Sequence, residues 1–345
     1  MTTELNRRRL VAFRIRDGEE ILSIHRSLQD KILKDLEKDP RQRERVYMQA
    51  FLLVRKRFPL PSPIQVPEPE KWPACIRYLR HVLSLRKAFA GNLVTIQPSV
   101  DLARLLSDGG IGLWERGMTT EGLELLRSAE AILAQINSDE ELLKANIHVI
   151  IALLIQDQGI THFSESKDRI WQALQIRKDF QSKTPREKYT KNDDILLHNA
   201  WSDYGCVLLQ YNRYLEAEPI FTHCVTKYRE WGPDETIPYE HAKYNHHMSF
   251  CQMFKKNFGE AVELAEKGVH FVTLATGQSA STNNWKFDMA CVVLQTGDAA
   301  RALKLHHEVL TARLEHHGKS SFLTSQSHYA VAAINAHQGD LTSAE

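Results

Sequence analysis

Residues 211–225 read YNRYLEAEPIFTHCV, 254–269 FKKNFGEAVELAEKGV, 294–309 LQTGDAARALKLHHEV and 336–345 AHQGDLTSAE. Aligned, each is a turn followed by a helical run that carries an alanine at the matching place: Ala217, Ala261, Ala302 and Ala344. These lie 44, 41 and 42 residues apart (261−217, 302−261, 344−302). A recurring period of this length is the mark of stacked two-helix units. Upstream, WERGMTTEGLELLRSAEAIL (114–133) fits with Gly122 and Ala129, and QDQGITHFSESKDRIWQALQIR (156–177) fits more loosely with Ala173. Small residues recur because two antiparallel helices must approach closely before the next pair stacks on them.

This pattern resembles tetratricopeptide repeats, and its long period is similar to the variety found in kinesin light chains. The small position 8 of such a repeat falls on Gly110, Gly205, Ser249, Ala290 and Ala332, and position 17 on Tyr214 and Phe258. The resemblance spans about residues 95–345 and implies an all-α, right-handed solenoid. Ala344 is position 20, so helix B of the last repeat is expected to begin as the sequence ends, as in a truncated piece. The resemblance also implies a concave groove lined by positions 2, 5, 9 and 12 of each first helix. These map to Asn199, Ser202 and Cys206, to Lys243, His246 and Phe250, and to Asn284, Phe287 and Cys291. Two asparagines and a lysine at successive position 2 sites would clamp a peptide backbone or carboxylate, with Phe250 and Phe287 as apolar anchors. The bland alternative is that the polar groups are solvated and both phenylalanines pack between repeats.

The beginning of the chain differs in kind. RLVAFRIRDGEEILSIHR (9–26) has a hairpin signature, with Asp17-Gly18 suited to a type I′ turn and Val11, Phe13, Leu22 and Ile24 sharing a face. A helix follows with Leu28, Ile32 and Leu36 at four-residue steps, ended by Pro40. A second, about 41–58, is expected to bury Val46, Ala50, Phe51 and Val54. Residues 58–73, FPLPSPIQVPEPEKWP, are too rich in proline for regular structure and mark a linker. The expected organisation is therefore a winged-helix-like domain with one β-hairpin at 1–60, a Pro-rich linker and connecting helix at 61–94, and the repeat array at 95–345.

Taken together, hairpin, LSIHRSLQDKIL, Pro-rich break, WPACIRYLRHVLSL and long repeats resemble the C-terminal part of fungal STAND (NLR-like) proteins. There an NB-ARC ATPase precedes a winged-helix segment and a repeat sensor. The resemblance implies that His25, in Ile24-His25-Arg26, contacts the β-phosphate of ADP when an ATPase domain is present. Arg26 stands where that family carries an aspartate, and the P-loop and Walker B segments are not in this sequence. No cofactor is expected for the chain itself, and the implied partners are that ATPase and a protein or peptide ligand.

Composition narrows the remaining possibilities. Apolar residues make up 43% and mean hydropathy is −0.38, enough for a sizeable core. The longest apolar run, VIIALLI (149–155), is far shorter than the roughly 20 residues of a membrane span. Five cysteines without a CxxC pair suggest reduced thiols and a cytoplasmic setting. Residues 1–60 hold 15 Lys+Arg against 9 Asp+Glu, a net of +6, which leaves −5 for the rest of a chain with net charge +1. A basic winged helix raises a rival reading, a DNA-binding regulator presenting Arg41, Arg43 and Arg45 to bases. These arginines come without a clear reader face, so nucleic acid is the weaker expectation. Gly318-Lys319-Ser320 imitates the end of a P-loop, but Arg313 stands where a glycine is required. His307-Glu308 lacks the second histidine of a zincin helix, since Thr311 holds its place. The doublets His246-His247, His306-His307 and His316-His317 point in divergent directions on a helix, so no metal and no catalysis are expected.

Overall fold

A β-hairpin, two helices and a longer third helix precede the repeats. The computed structural model describes residues 10–16, 19–91, 96–156, 158, 162–340 and 342. Strands β1 (Val11–Arg16) and β2 (Glu19–Ile24) pair antiparallel, with Val11 opposite Ile24 and Phe13 opposite Leu22. The Asp17-Gly18 turn lies outside the described residues. Helix α1 (Arg26–Leu36) is capped by His25, whose Nδ1 accepts from the Ser27 amide at 3.2 Å. Helix α2 (Pro40–Arg57) follows, then a 3₁₀ turn (Pro69–Lys71) and α3 (Trp72–Ala90).

Two compact units divide the chain: residues up to 57 with 84–98, and residues 58–83 with 99 onward. In the first unit Val11, Tyr47, Phe51, Leu85, Phe89 and Ile96 are buried, and the Tyr47 hydroxyl donates to the Leu85 carbonyl at 3.3 Å. The expected stripe on α2 is rotated by one residue. Tyr47 takes the inward place expected for Val46, which is exposed, while Ala50 and Val54 flank the seam half-buried. Tyr47 and Phe51 are four apart, so two aromatic rings share one line down the helix and set which side turns in. Arg41 and Arg45 are exposed. No residue of α1 is buried, and Ile32 and Leu33 lie on its surface.

The second unit is built of helix pairs: α4 (Val100–Trp114) with α5 (Thr119–Gln135), α6 (Glu141–Gln156) with α7 (Phe163–Lys183), α8 (Lys191–Gln210) with α9 (Tyr214–Trp231), α10 (Pro238–Phe254) with α11 (Phe258–Thr276), and α12 (Ala280–Leu294) with α13 (Ala299–His317), followed by α14 (Phe322–His337). Most first helices start on a hydroxyl. Ser99, Thr190, Ser279 and Ser321 accept from the amides of Leu102, Asp193, Thr282 and Thr324, each relieving an orphan donor of the first turn. Helix α10 starts on Pro238 instead, whose missing N–H is no loss there.

Among the described residues the turns after α4, α8, α10, α12 and α14 share one form, and from α8 onward they recur at the spacing of the alanines. Gly117, Asn212, Lys256, Gly297 and Gly339 all have positive φ. The next amide bonds back five residues: Met118 to Leu113, Arg213 to Leu208, Asn257 to Gln252 and Asp340 to Asn335. This is the Schellman closure, which reverses the chain tightly while pairing the last carbonyls.

The small residues do the work the spacing implies. An added Cβ would lie 2.5 Å from Leu126 at Gly110, 2.9 Å from Leu154 at Gly122 and 2.6 Å from Phe221 at Gly205. Ala129, Ala173, Ala217, Ala261, Ala290 and Ala302 are fully buried. Ala332 is half-buried, and Ala344 lies outside the described residues. No helix among the described residues is long and apolar enough to cross a membrane.

Candidate functional site

The first helices of successive pairs turn one side toward a shared cavity of about 460 Å³. Helix α6 supplies an apolar wall of Val149, Ile150 and Leu153. Helix α8 adds Asn199, Asp203, Cys206 and Gln210, α10 adds Tyr239, Lys243, His246 and Phe250, and α12 adds Ser281, Asn284, Trp285 and Asp288. Trp114, at the end of α4, also faces it. The array curls so far that the Gly117 turn meets α12 and α13; a Cβ on Gly117 would sit 2.6 Å from the His317 ring and 3.3 Å from Ala280.

Of the residues expected in the groove, Asn199, Cys206, Lys243, His246, Phe250 and Asn284 line this cavity. Ser202, Phe287 and Cys291 do not. Ser202 is buried with its hydroxyl 3.3 Å from His247 Nδ1, and Phe287 is buried edge-on to His306 with the Arg313 guanidinium 4.6 Å over its ring. On α8 and α12 the cavity side follows a four-residue step, a lead of only about 40°, from Asn199 to Asp203 and from Asn284 to Asp288. On α10 the expected three-residue step from Lys243 to His246 stays in the lining, so the rotation of each helix in the stack decides which line faces in.

The polar groups along this face are paired from helix to helix. Lys243 Nζ donates to Asp203 Oδ1 at 2.7 Å, both side chains nearly buried. His246 Nε2 lies 2.9 Å from Asp288 Oδ2, and its ring stacks on Trp285 with centroids 4.7 Å apart and 8° between planes. Asn199 accepts from the Tyr228 hydroxyl at 3.0 Å and points its amide nitrogen at Glu240, 3.4 Å away. Asn284 Oδ1 accepts from Arg313 Nη2 at 2.8 Å. Lys243 and the two asparagines are thus fixed in place by the neighbouring repeat rather than projecting alone. One signal for this was in the sequence. Partners lie one repeat apart, 40 residues for Asp203–Lys243 and 42 for His246–Asp288.

Burial sets the charge states beneath the surface. It raises the Glu240 carboxyl and drives the His247 imidazole well down, so both favour the neutral form. It also pushes the thiols of Cys206 and Cys291 up to about 12, which leaves them thiols and poor nucleophiles at neutral pH. Of the histidine doublets, His306-His307 splits as its spacing requires, with His306 buried and His307 exposed. Gly318 closes α13 at positive φ, with a helix before it where a P-loop has a strand. Arg313, at the place of the missing glycine, is instead a buried hub bonded to the Leu323 carbonyl and the Ser327 hydroxyl. His25 is exposed at the cap of α1, in the other unit, with Nδ1 2.7 Å from Ser27 Oγ.

No protein-family model matches the chain. No curated protein matches it either. Among solved structures, the apo form of the quorum sensor NprR from B. thuringiensis is similar at 11% identity with a TM-score of 0.50, over 91% of this chain and 90% of that one. A Rap protein complexed with competence and sporulation factor gives 12% identity and a TM-score of 0.46, over 90% and 81%. BtubC (BKLC) from P. vanneervenii gives 17% and 0.44, over 67% and 85%. The likeness to NprR concerns the fold, and with the helix pairs described above it makes the second unit a solenoid of tetratricopeptide-type repeats.

Proposed function

We propose that the chain is a non-catalytic interaction module whose concave groove takes an extended peptide. The observation that carries this reading is the cavity itself, with an apolar wall on α6 facing a rigid polar ladder on α8, α10 and α12. Such a surface suits a ligand with apolar side chains on one side and hydrogen-bonding groups on the other. Asn284, held through its oxygen by Arg313, presents its amide nitrogen as the remaining donor. The test is selection of a displayed random-peptide library on the chain, with counter-screening against Lys243→Glu combined with Asn284→Ala. Enriched peptides should lose binding to the double variant while its helicity by circular dichroism is kept. Retention of full affinity would remove the groove from consideration.

At a finer level, the chain reads as the sensor segment of a STAND-type signalling receptor. The support is the order of elements, a hairpin running into a helix capped by His25 and then long repeats. On this reading an NB-ARC-type ATPase is the partner of the first unit, and His25 meets nucleotide only in its company. The chain alone is then expected to show no saturable ADP or ATP binding by calorimetry. Micromolar binding that His25→Ala abolishes would contradict this division of labour.

A further inference from the structure

The Pro-rich segment does not simply bridge two units; part of it lies in the groove. Ile64 and Gln65 form part of the cavity's lining, together with Tyr239, Lys243, His246 and Trp285. Val66 packs on the cluster of Tyr239, Ala242 and Val272, as Trp285 does. Ser62 and Pro67 are buried.

The way this strap is held is uneven. Its far end is anchored, because Glu115 accepts from the Glu68 amide at 3.2 Å and from Trp72 Nε1 at 2.7 Å. Lys71 Nζ reaches back to the Leu60 carbonyl at 3.0 Å. Between these points the hydrogen bonds of the strap are internal: Gln65 N to the Ser62 carbonyl at 3.1 Å, and Ile64 N to Ser62 Oγ at 3.4 Å. Among the described residues, nothing from 61–67 hydrogen-bonds to α8, α10 or α12. Gln65 sits at φ 59, a conformation non-glycine residues rarely adopt, and its Nε2 is buried without a partner. The middle of the strap is thus attached by side-chain packing alone, and one of its residues is poorly satisfied there.

A groove walled by helices has already spent its backbone donors and acceptors within those helices. A chain lying in it can pair its amides only with side chains, and those are largely engaged from helix to helix, so the chain that fits best has few free amides. Pro59, Pro61, Pro63 and Pro67 provide that, and they preset an extended backbone that loses little entropy on docking. Ile64 and Val66, two residues apart, supply the apolar contacts.

We propose that residues 61–67 are a built-in occupant of the peptide groove, a strap that an incoming ligand displaces, and that this ligand is an extended, proline-containing peptide with aliphatic side chains two positions apart. The inference rests on the peptide-groove reading above and adds to it both the ligand's chemistry and a self-competition that sets its threshold.

The probe is a fluorescein-labelled synthetic peptide of residues 59–71, titrated by anisotropy against the intact chain and against a variant whose residues 61–67 are replaced by a Gly-Ser run of equal length. A tethered competitor acts at an effective concentration of about millimolar, so the variant should bind at least about ten-fold more tightly than the intact chain. Trp285→Ala in the variant should abolish that binding. Should the Gly-Ser variant fail to fold, Ile64→Asp with Val66→Asp keeps the length and the prolines and serves in the same comparison. Equal affinity for intact and strap-altered chains overturns the proposal, as does a folded variant that binds no probe. Loss of fold in both variants would make the strap a structural brace and overturn it equally. A library-selected peptide that is lost in Lys243→Glu yet binds intact and strap-altered chains alike would leave the groove reading standing and remove this one.

Discussion

The two halves of the array solve the same packing problem with different chemistry. In α4–α7 the interior is mainly aliphatic: Leu105, Leu106, Leu125, Leu126, Ile150, Ile151 and Leu154 are buried, with Ser107, Ser166 and Arg177 the polar exceptions among the described residues. In α8–α13 the buried set includes Asn199, Ser202, Asp203, Glu240, His241, His247, His306 and Arg313. Aliphatic burial supplies stability in proportion to area and is indifferent to detail. Buried polar groups cost desolvation unless each finds its partner, so they contribute less net stability and far more geometric definition. The comparison teaches that the first half is built to hold and the second to present. The cation–carboxylate ladder lies on the second, and the middle of the strap packs against it.

The largest effect should come from emptying the shared part of both halves, the contact between a small residue and a large one. Phe221, fully buried against Gly205, should cost about 3–5 kcal/mol on truncation to alanine, and Leu126→Ala about 2–5 kcal/mol. Urea unfolding of the two variants checks this. If Phe221→Ala proves near neutral, the polar half does not depend on close helix approach and the comparison collapses.

The next effect separates the halves. Asp203→Ala leaves Lys243 nearly buried and without its carboxylate, and should cost about 2–3 kcal/mol, since breaking such a pair strands a charge. Replacing both by apolar residues, Asp203→Leu with Lys243→Met, should cost less than the single change. A double-mutant cycle in urea measures the coupling. Additive costs would mean that the pair is not coupled and the ladder carries no definition.

A smaller effect appears with pH. Burial, with the Arg313 charge adding to it, holds His306 down at about 4, from an ordinary value of 6.5. The unfolded chain then binds a proton that the folded chain refuses as pH falls from 6.5 toward 4. Stability contributed by neutral His306 is complete above pH 6.5 and is lost across that window. Buried His247 acts in the same direction. Thermal melts between pH 7 and 4.5 should fall less steeply for His306→Phe than for the parent; identical slopes would show that His306 is not the group responsible.

The smallest expectation is none at all. Arg213 and Glu216 pair at 2.6 Å on the surface of α9's first turn, more than half exposed, and alanine at either should leave the thermal midpoint unchanged within error.

Much of the architecture was legible because it depends on local rules. The alanine period, the turn that precedes each alanine and the glycines at Gly110 and Gly205 state how closely helices must approach, and that requirement is written residue by residue. Asn199, Lys243 and Asn284 follow from the same logic, one position taken in each repeat, and all three line the cavity. The hairpin pairing of Val11 with Ile24 and Phe13 with Leu22 likewise follows from a two-residue period around a turn.

Other features were decided only by the assembled chain. Whether the groove line continued through Ser202 or Asp203, and through Phe287 or Asp288, turned on a rotation of less than half a helical turn, which stacking sets and spacing does not. Tyr47 rather than Val46 faced inward on α2 for the same reason. The seating of Ile64, Gln65 and Val66 could not be read at all, because a proline-rich run has no period to betray which side is buried. Sequence by itself determined that helices pair and stack, since that follows from side-chain size at fixed intervals. Tertiary structure decided which polar groups meet across repeats and where the irregular segment lies, because those contacts join residues from some forty to more than two hundred positions apart and depend on the curvature of the array.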